Sequence, residues 1–449
     1  MVDEYRGRLP ILGQLPSNWQ IVEFGSVLEG GTRNGIYKPK QFHGVGDKIV
    51  NMGELFANPR LYDVPMQRVL LSEVERKSFG LEIGDLLFAR RSLVAEGAGK
   101  CSIVCQINEP ITFESSIIRA RPNTQIADST FLYYVFQSRY GVYILDTIRR
   151  QVAVAGITGK DLVKLAIPLP PLKEQQSIAY ILSTFDKKIE LNRQINETLE
   201  AMARAIFKSW FVDFDPVRAI MEGREPYGMD AETASLFPNS FEVSPLGEIP
   251  KGWKIGTIGD VADNPRRGVT PNDINQNTPY IGLEHMPRNS ITLGEWGLAQ
   301  DVTSNKFRFY QGEILFGKLR PYFHKVGVAV QDGVCSTDIL VIVPKYAEWY
   351  SFVLAHVSSD EFVQYTDGTS TGTKMPRTNW SDMKAYKIVL PPKNIAEHFN
   401  KIVQGMVEAI QSNIIQSHTH ISIRDTLLPK LLSGELRVKE ADKYAEAHL

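Results

Sequence analysis

Two stretches of the chain repeat apolar or small residues at alternating intervals of four and three. The first follows Pro170-Pro171, and the second lies 221 residues further along with the same register. This spacing is typical of the seam between paired helices. We therefore predict two long helices, the first over 175–210, that pair in an antiparallel coiled coil. Its central seam positions are Leu182, Phe185, Ile189, Asn192, Leu199, Val403, Met406, Ile410, Asn413 and Leu427.

The ends of both helices carry recognisable boundary residues. Asn394 and Glu397 match a capping box before the second helix, and Gly434 follows its last turn. Pro216 comes shortly after the first helix. Asn192 and Asn413 occupy equivalent seam positions, where a polar residue costs stability but can fix register and partner. Two unrelated amphipathic helices, each packed on its own domain, are the alternative interpretation.

The repeat extends beyond the helices. Leu15-Pro16-Ser17-Asn18-Trp19 recurs as Ile249-Pro250-Lys251-Gly252-Trp253, and Gly84-Asp85-Leu86-Leu87-Phe88 recurs as Gly312-Glu313-Ile314-Leu315-Phe316. Ile167-Pro168-Leu169-Pro170-Pro171 recurs as Ile388-Val389-Leu390-Pro391-Pro392. Each copy is about half of the chain, which is too long for a solenoid unit. The sequence therefore predicts an internal duplication of a two-part module.

The first part of each module mixes strand and helix patterns. Residues 85–89 and 339–343 are expected to be strands, and 131–148 and 349–365 helices. We predict an α+β or α/β fold in which two similar domains, related by a pseudo-twofold internal duplication, are separated by the paired antiparallel helices. The predicted segments are a first domain over 1–168, a central helix over 169–213, an acidic linker over 214–247, a second domain over 248–389, a distal helix over 390–434 and a C-terminal tail over 435–449.

Composition restricts the class of protein. The chain has 449 residues, 43% of them hydrophobic, and a formal net charge of -1. Its three cysteines, Cys101, Cys105 and Cys335, argue against a disulfide framework. The first sixteen residues lack the apolar core of a signal peptide, and no run of 18 apolar residues occurs. We expect a cytoplasmic protein that does not bind membranes.

The near-zero net charge hides a segregation of charge. Residues 210–243 carry seven acidic and two basic side chains, whereas residues 30–165 carry 18 basic and 13 acidic ones. Basic clusters fall in loops, and one follows the repeated strand in each copy. Such side chains reach phosphates and base edges. The candidate DNA-binding residues are Arg90, Arg91, Arg149, Arg150, Gln151, Thr158, Lys160, Arg266, Arg267, Lys318, Arg320, Tyr322, Lys325, Thr371, Thr373 and Lys374.

Catalytic signatures are missing from the sequence. Gly97-Ala98-Gly99-Lys100-Cys101 lacks the spacing of a phosphate-binding P-loop, and Asn264-Pro265-Arg266-Arg267 is not the motif of an amino-methyltransferase. Cys101 and Cys105 have no nearby histidine, Asp213 and Asp215 lie in the acidic segment, and His418 and His420 are two apart on a predicted helix. We therefore assign no catalytic residue and no metal ligand.

The chain resembles the specificity subunits of type I restriction–modification systems. The resemblance rests on Leu169-Pro170-Pro171-Leu172-Lys173-Glu174-Gln175-Gln176-Ser177-Ile178, on Phe185-Asp186-Lys187-Lys188-Ile189-Glu190 and on Phe207-Lys208-Ser209-Trp210-Phe211-Val212-Asp213-Phe214. The second copy is weaker, with Leu390-Pro391-Pro392 and Leu427-Leu428-Pro429-Lys430-Leu431-Leu432-Ser433-Gly434-Glu435-Leu436. There, Lys393-Asn394-Ile395-Ala396-Glu397-His398 replaces Leu-x-Glu-Gln.

The resemblance implies a non-catalytic subunit that reads double-stranded DNA. Each recognition domain would read one half of a split, asymmetric target, and the helices would dock two methylation subunits, which restriction subunits join. S-adenosylmethionine, ATP and magnesium would then bind to those partners and not to this chain. Two other classes stay open on the residues alone. One is an enzyme that modifies DNA by itself, and the other is a coiled-coil scaffold without DNA recognition.

Overall fold

The computed structural model describes residues 15–151, 155–372 and 374–438. These residues form two compact units. Unit 1 contains residues up to Lys188 and those from His420 onward, and unit 2 contains Ile189–Thr419. Each unit therefore includes part of both long helices.

Unit 1 is built from short strands and short helices ahead of the first long helix. Its strands are β1 (Gln20–Glu23), β2 (Leu28–Asn34), β3 (His43–Val50), β4 (Arg60–Leu61), β5 (Gln67–Val69), β6 (Leu86–Ala89), β7 (Arg91–Ser92), β8 (Cys101–Val104), β9 (Ile111–Phe113), β10 (Ile117–Pro122), β11 (Arg150–Gln151), β12 (Ala155–Gly156) and β13 (Ala166–Leu169). Its helices are α1 (Met52–Ala57), α2 (Glu73–Phe79), α3 (Ser129–Gln137), α4 (Arg139–Thr147) and α5 (Gly159–Leu162), with 3-10 turns at Phe24–Val27, Lys40–Phe42 and Ala95–Gly97.

The main sheet of unit 1 has the strand order β2-β10-β6-β8-β4. Its centre is antiparallel, because β10 pairs with both β2 and β6, and β6 pairs with β8. A second sheet has the order β5-β3-β9, in which β3 and β9 are parallel. Strand β1 pairs with β13, and a small sheet has the order β11-β12-β7. Phe131, Tyr134 and Phe136 of helix α3 and Tyr140 of helix α4 are buried in one core cluster with residues of the main sheet.

The first long helix is α6 (Leu172–Phe211), and unit 2 begins within it. The later helices are α7 (Asp215–Met221), α8 (Ala231–Ala234), α9 (Ile258–Val261), α10 (Tyr350–Val357), α11 (Asp360–Gly368), α12 (Trp380–Lys384) and α13 (Lys393–Leu432), with 3-10 turns at Pro271–Asp273, Ala299–Asp301, Pro321–Phe323 and Ala347–Trp349. The strands are β14 (Phe241–Ser244), β15 (Gly247–Pro250), β16 (Lys254–Thr257), β17 (Ala262–Asp263), β18 (Gly268–Val269), β19 (Pro279–Ile281), β20 (Gly297–Leu298), β21 (Lys306–Phe309), β22 (Ile314–Gly317), β23 (Val326–Val328), β24 (Gly333–Cys335), β25 (Ile339–Pro344) and β26 (Lys387–Leu390).

The topology of unit 2 repeats that of unit 1. Its sheet β17-β25-β22-β23 has the same antiparallel order as β2-β10-β6-β8, and β16 pairs with β26 as β1 pairs with β13. Its second sheet, β18-β21-β24-β19-β20, again contains one parallel pair, β19 with β24. Gly84 and Gly312 precede the equivalent strands β6 and β22, and both adopt positive φ, 92° and 83°. The predicted duplication and mixed fold are confirmed.

Both long helices are 40 residues long. Every predicted seam residue is buried or half-buried. In unit 2, Asn192 Nδ2 donates hydrogen bonds to the Asn413 carbonyl oxygen and to Ser417 Oγ, both at 3.2 Å. Asn413 Nδ2 donates to Asn196 Oδ1 at 2.8 Å. Asn192 therefore contacts Ser417, whereas Asn196, further along α6, contacts Asn413, which comes earlier on α13. The two helices consequently run antiparallel in unit 2.

The same pairing continues in unit 1 around a buried carboxylate. Asp186 on α6 is 6% exposed and accepts hydrogen bonds from Arg424 on α13 at 2.6 Å and from Arg60 at 2.9 Å. The Tyr134 hydroxyl also donates to it. A buried carboxylate needs such partners to offset its lost hydration. This contact joins both long helices to the strand and helix layers of unit 1.

Several boundaries differ from the predictions. The expected helix over 131–148 is two helices, because Ser138 caps α4 and its Oγ accepts from the Gly141 amide at 3.1 Å. Likewise, the helix over 349–365 is broken where Ser359 caps α11. The prediction that Asn394 and Glu397 form a capping box is wrong, because α13 begins at Lys393 and Asn394 therefore lies inside the helix and not at its N-cap.

The segment predicted as an acidic linker, 214–247, is a folded part of unit 2. It contains α7, α8 and β14, and its last residue begins β15, which pairs with β14 in a hairpin. Its aromatic residues Phe214 and Phe237 are buried, with ring centroids 5.7 Å from Trp253 and 5.3 Å from Trp210, respectively. Its acidic side chains reach solvent while its apolar ones enter the core, so charge alone was a poor guide to its structure.

Candidate nucleic-acid interface

Two predicted basic loops meet in unit 1. Strand β7, which contains Arg91, pairs with β12, and β12 pairs with β11, which contains Arg150. The amide of Ile157 also donates to the carbonyl of Arg90 at 3.0 Å. The loop after the main-sheet strand β6 is therefore held against the loop after helix α4. We call the described side chains of these two loops the unit 1 basic face.

Some candidates on this face have structural partners, and others point to solvent. Arg149 is largely buried, with Nη1 2.6 Å from Asp146 and Nε 3.2 Å from the Ala98 carbonyl. Thr158 caps α5. Arg90 is half-buried and donates to the Ser115 carbonyl at 3.3 Å, and the exposed Arg150 pairs with Asp161 at 2.7 Å. The exposed Arg91 and Lys160 are the candidates most accessible to a ligand, and the side chain of Gln151 lies outside the described residues.

Unit 2 brings its two basic loops together at the equivalent place. The loop after β22 contains Lys318 and Arg320, and the loop after α11 contains Thr371 and Lys374. Arg320 donates its amide to the Pro376 carbonyl at 2.7 Å, and the Thr378 amide donates to the Lys318 carbonyl at 3.1 Å. Isolated bridges join Arg377 to Leu319 and Thr371. We call these described side chains the unit 2 basic face.

The backbone of the first of these loops is strained. Arg320 and His324 have φ of 51° and 49°, a region that side chains other than glycine rarely adopt. They bracket the 3-10 turn Pro321–Phe323. Such conformations persist only where the surrounding structure enforces them, and they concentrate at binding sites. The strain therefore marks this loop independently of its charge.

The side chains of the unit 2 basic face vary in exposure. Arg320 is half-buried, with Nη2 3.4 Å from the Lys374 carbonyl and its guanidinium over the Phe323 ring. Tyr322 is 51% exposed. Lys325 points inward to the Leu283 carbonyl, and burial lowers its pKa. Thr371 and Lys374 are exposed, and Lys318 is half-buried. Thr373 lies outside the described residues.

Arg266 and Arg267 contact the second sheet of unit 2. The Arg267 guanidinium forms two hydrogen bonds of 2.8 Å with the Glu313 carboxylate, which raise its pKa, and it lies over Tyr310. Arg266 has φ of 42° and lies over the Phe307 ring. In unit 1 the equivalent acid, Asp85, pairs instead with Arg121 at 2.7 Å. Sequence reasoning took Arg267 for a ligand-binding residue because its acidic partner is 46 residues away.

The structure adds residues that the sequence reasoning missed. Arg377 is exposed and lies between the two loops of the unit 2 basic face, where Nε is 3.2 Å from Asp338. The sequence prediction ended this basic cluster at Lys374, three residues before Arg377. Leu93 and Val94, two and three residues after Arg91, are 93% and 62% exposed. Neither was among the candidates, because those were chosen for side chains that reach phosphates and base edges.

The residues considered for metal binding have other partners. Asp213 pairs with Lys208, the His418 ring lies 4.2 Å from Trp296, and the His420 ring lies 5.9 Å from Phe185. Within residues 15–151, 155–372 and 374–438 there is no group of three or more His, Cys, Asp or Glu side chains placed to hold a metal ion. Over the same ranges, every helix is too short or too polar to cross a membrane.

The chain belongs to the family of type I restriction modification DNA specificity domains. The family model matches residues 16–201 and 250–420, one region in each half of the duplication. The resemblance inferred from the sequence motifs is confirmed.

Named relatives span nearly the whole chain. The type I restriction enzyme MjaIX specificity subunit of Methanocaldococcus jannaschii is 26% identical, over 96% of this chain and 96% of its own. The HindI specificity subunit of Haemophilus influenzae is 26% identical, over 94% of this chain and all of its own. The crystal structure of the type I restriction-modification S subunit from M. genitalium matches with a TM-score of 0.55 at 15% identity, covering 94% of this chain and 98% of that one. That match supports the fold alone.

Proposed function

We propose that this chain reads a bipartite, asymmetric DNA sequence for a type I restriction–modification complex. In this proposal, each unit reads one half of the target through its basic face. The chain itself performs neither methylation nor cleavage. It docks two methylation subunits, to which S-adenosylmethionine binds, and restriction subunits that use ATP and magnesium.

One observation carries the DNA-reading part of the proposal. In both units, a loop that follows the equivalent main-sheet strand is hydrogen-bonded to a loop that follows the second helix of the helix pair. Basic side chains that reach solvent lie on both of these faces. Positively charged and hydroxyl side chains on such loops contact phosphates and base edges. The duplicated fold accounts for the recurrence of the paired loops but does not require basic side chains on them, so their presence on both faces supports a shared ligand.

The asymmetry of the target follows from the differences between the two faces. Unit 1 offers Arg91, Arg150 and Lys160, whereas unit 2 offers Arg320, Tyr322 and Lys374 at its own loops. Base recognition depends on which donors and acceptors meet each base edge. Different side chains on a common framework therefore favour different half-sites, and the complete target should not be palindromic.

Partner docking is supported by the outer surface of α6. In unit 2 this helix exposes Leu191, Ile195 and Met202, which are 54%, 38% and 47% exposed. Their spacing of four and seven places them along one helical face. A stripe of large apolar residues on the outside of a helix is typical of a protein contact. We assign it to the methylation subunits.

The test compares the isolated chain with the reconstituted complex. The purified chain should bind duplex DNA with an affinity that falls steeply as salt rises, because phosphate contacts release counterions. It should show no methyl transfer or cleavage until methylation subunits are added. Turnover by the isolated chain would mean that it is a DNA-modifying enzyme. DNA binding that is absent or independent of salt, with intact complex assembly, would mean that it is a scaffold.

A further inference from the structure

The unit 1 basic face ends in an apolar tip. Leu93 is 93% exposed and Val94 is 62% exposed. The turn that presents them is closed by hydrogen bonds, from the Val94 amide to Ser92 Oγ at 3.2 Å and from the Gly97 amide to the Val94 carbonyl at 3.1 Å. The turn is anchored by β7, which pairs with β12. These two side chains are therefore held out into solvent by a defined turn.

A single exposed leucine is unremarkable on a protein surface. This one lies two residues after the exposed Arg91, on the loop that we assign to DNA. The unit 2 basic face has a comparable feature, since Tyr322 and Met375 are 51% and 48% exposed next to Arg320 and Lys374. Large apolar side chains thus accompany the basic ones in both units. The recurrence indicates that they contact the same ligand as the basic residues.

An aliphatic side chain has few ways to contact DNA productively. In the major groove, thymine alone presents an apolar group, its 5-methyl, and apolar side chains read it by direct contact. Insertion between base pairs is the other possibility, but unstacking a base step costs about as much free energy as burying one leucine returns. Contact with a methyl group carries no such cost. A lone aliphatic tip is therefore better suited to the methyl group.

We propose that Leu93, with Val94 beside it, packs against the 5-methyl group of a thymine in the half-site read by unit 1. This inference rests on the proposed DNA-reading function. It assigns Leu93 a role in specificity that its lack of hydrogen-bonding groups would otherwise hide. The proposed contact predicts that the unit 1 half-site contains a thymine that is distinguished from uracil.

The experiment replaces each thymine of the mapped half-site by deoxyuridine, which removes only the methyl group. Binding of the reconstituted complex is measured by fluorescence anisotropy. At one position, deoxyuridine should weaken binding by the wild-type chain about fourfold, which is the change in affinity expected when the burial of one methyl group is lost. Leu93→Ala should weaken binding to the thymine target by a similar factor and bind both targets almost equally. Val94→Ala should reduce the discrimination less.

Ile83→Ala is the matched control, because Ile83 is 67% exposed and precedes the opposite end of β6. That variant should keep the full thymine preference. The inference is overturned if no thymine is sensitive to deoxyuridine, or if Leu93→Ala keeps the same preference as the wild type. It is also overturned if Leu93→Ala impairs assembly with the methylation subunits, because the tip would then be a protein contact. If the wild-type complex did not bind DNA at all, the proposed function itself would be refuted.

Discussion

Arg320 offers a test that separates a DNA-contacting side chain from a strained backbone. Its φ of 51° is unfavourable for any residue other than glycine. Its Nε is buried without a hydrogen-bond partner among the described residues. We propose two substitutions, Arg320→Ala and Arg320→Gly. Both remove the guanidinium, but only glycine also relieves the backbone strain.

The two variants should differ in stability and agree in DNA binding. Left-handed backbone costs an ordinary residue about 1–2 kcal/mol, so Arg320→Gly should be more stable than Arg320→Ala by roughly 1 kcal/mol. If the guanidinium reads a base, both variants should lose about 1–3 kcal/mol of binding free energy. That loss corresponds to roughly a fivefold to 150-fold weaker affinity. Specificity should relax at one position of the target.

The assays are urea denaturation for stability and fluorescence anisotropy on the mapped target for affinity, with every substitution at each base pair of the unit 2 half-site. Lys374→Ala is the comparison, because an exposed lysine on the same face should contact phosphate. It should weaken binding to all sequences alike and reduce the salt dependence. The reasoning is refuted if Arg320→Gly binds as tightly as the wild type, since the guanidinium would then contribute nothing to recognition.

Three further predictions concern the other parts of the chain. Arg91→Ala and Lys160→Ala should weaken DNA binding through unit 1 and leave the unit 2 half-site preference unchanged, which methylation of target libraries would measure. Burial lowers the pKa of His356 to about 3, so the unfolded state takes up a proton below pH 6.5 and the native state does not. The contribution of His356 to the free energy of unfolding should therefore fall by about 2 kcal/mol between neutral pH and pH 5. Urea denaturation of His356→Leu should lack this part of the pH dependence. Equal pH dependence of stability in the wild type and the variant would contradict the assignment. One heptad inserted into each long helix next to Asn196 and Ser417 should keep the seam in register, lengthen each helix by about 10 Å and widen the unread gap by up to about three base pairs. An active variant that still prefers the parental gap in a gap-randomised library would show that the helices do not set the spacing.

The periodic parts of the fold were predictable from the sequence. Four-three spacing in two copies identified both long helices, and the recurrence of Gly84 and Gly312 before a strand identified the duplicated sheet. These patterns depend on local geometry, so they survive divergence between the copies. The breaks at Ser138 and Ser359 were missed because the helices were predicted from their apolar positions, although serine is a favoured N-cap residue and caps the following helix at both places.

The candidate interface was only partly predictable. The sequence located the loops, because basic residues follow equivalent strands. It did not show that Arg267 is held by Glu313 or that Arg149 is held by Asp146. Which basic residues stay accessible depends on acidic partners that folding brings close, and Glu313 is far from Arg267 in the sequence. The exposure of Leu93 likewise follows from the turn geometry and not from residue type.

The central claim is that each unit reads its own half of a split DNA target. The most direct measurement is to map the methylated sequences produced by the reconstituted complex with the wild-type chain, with Arg91→Ala and with Arg320→Ala. We expect one non-palindromic motif of two half-sites separated by unread base pairs, with each variant relaxing a different half. A contiguous or palindromic motif, or relaxation of the same half by both variants, would contradict the account.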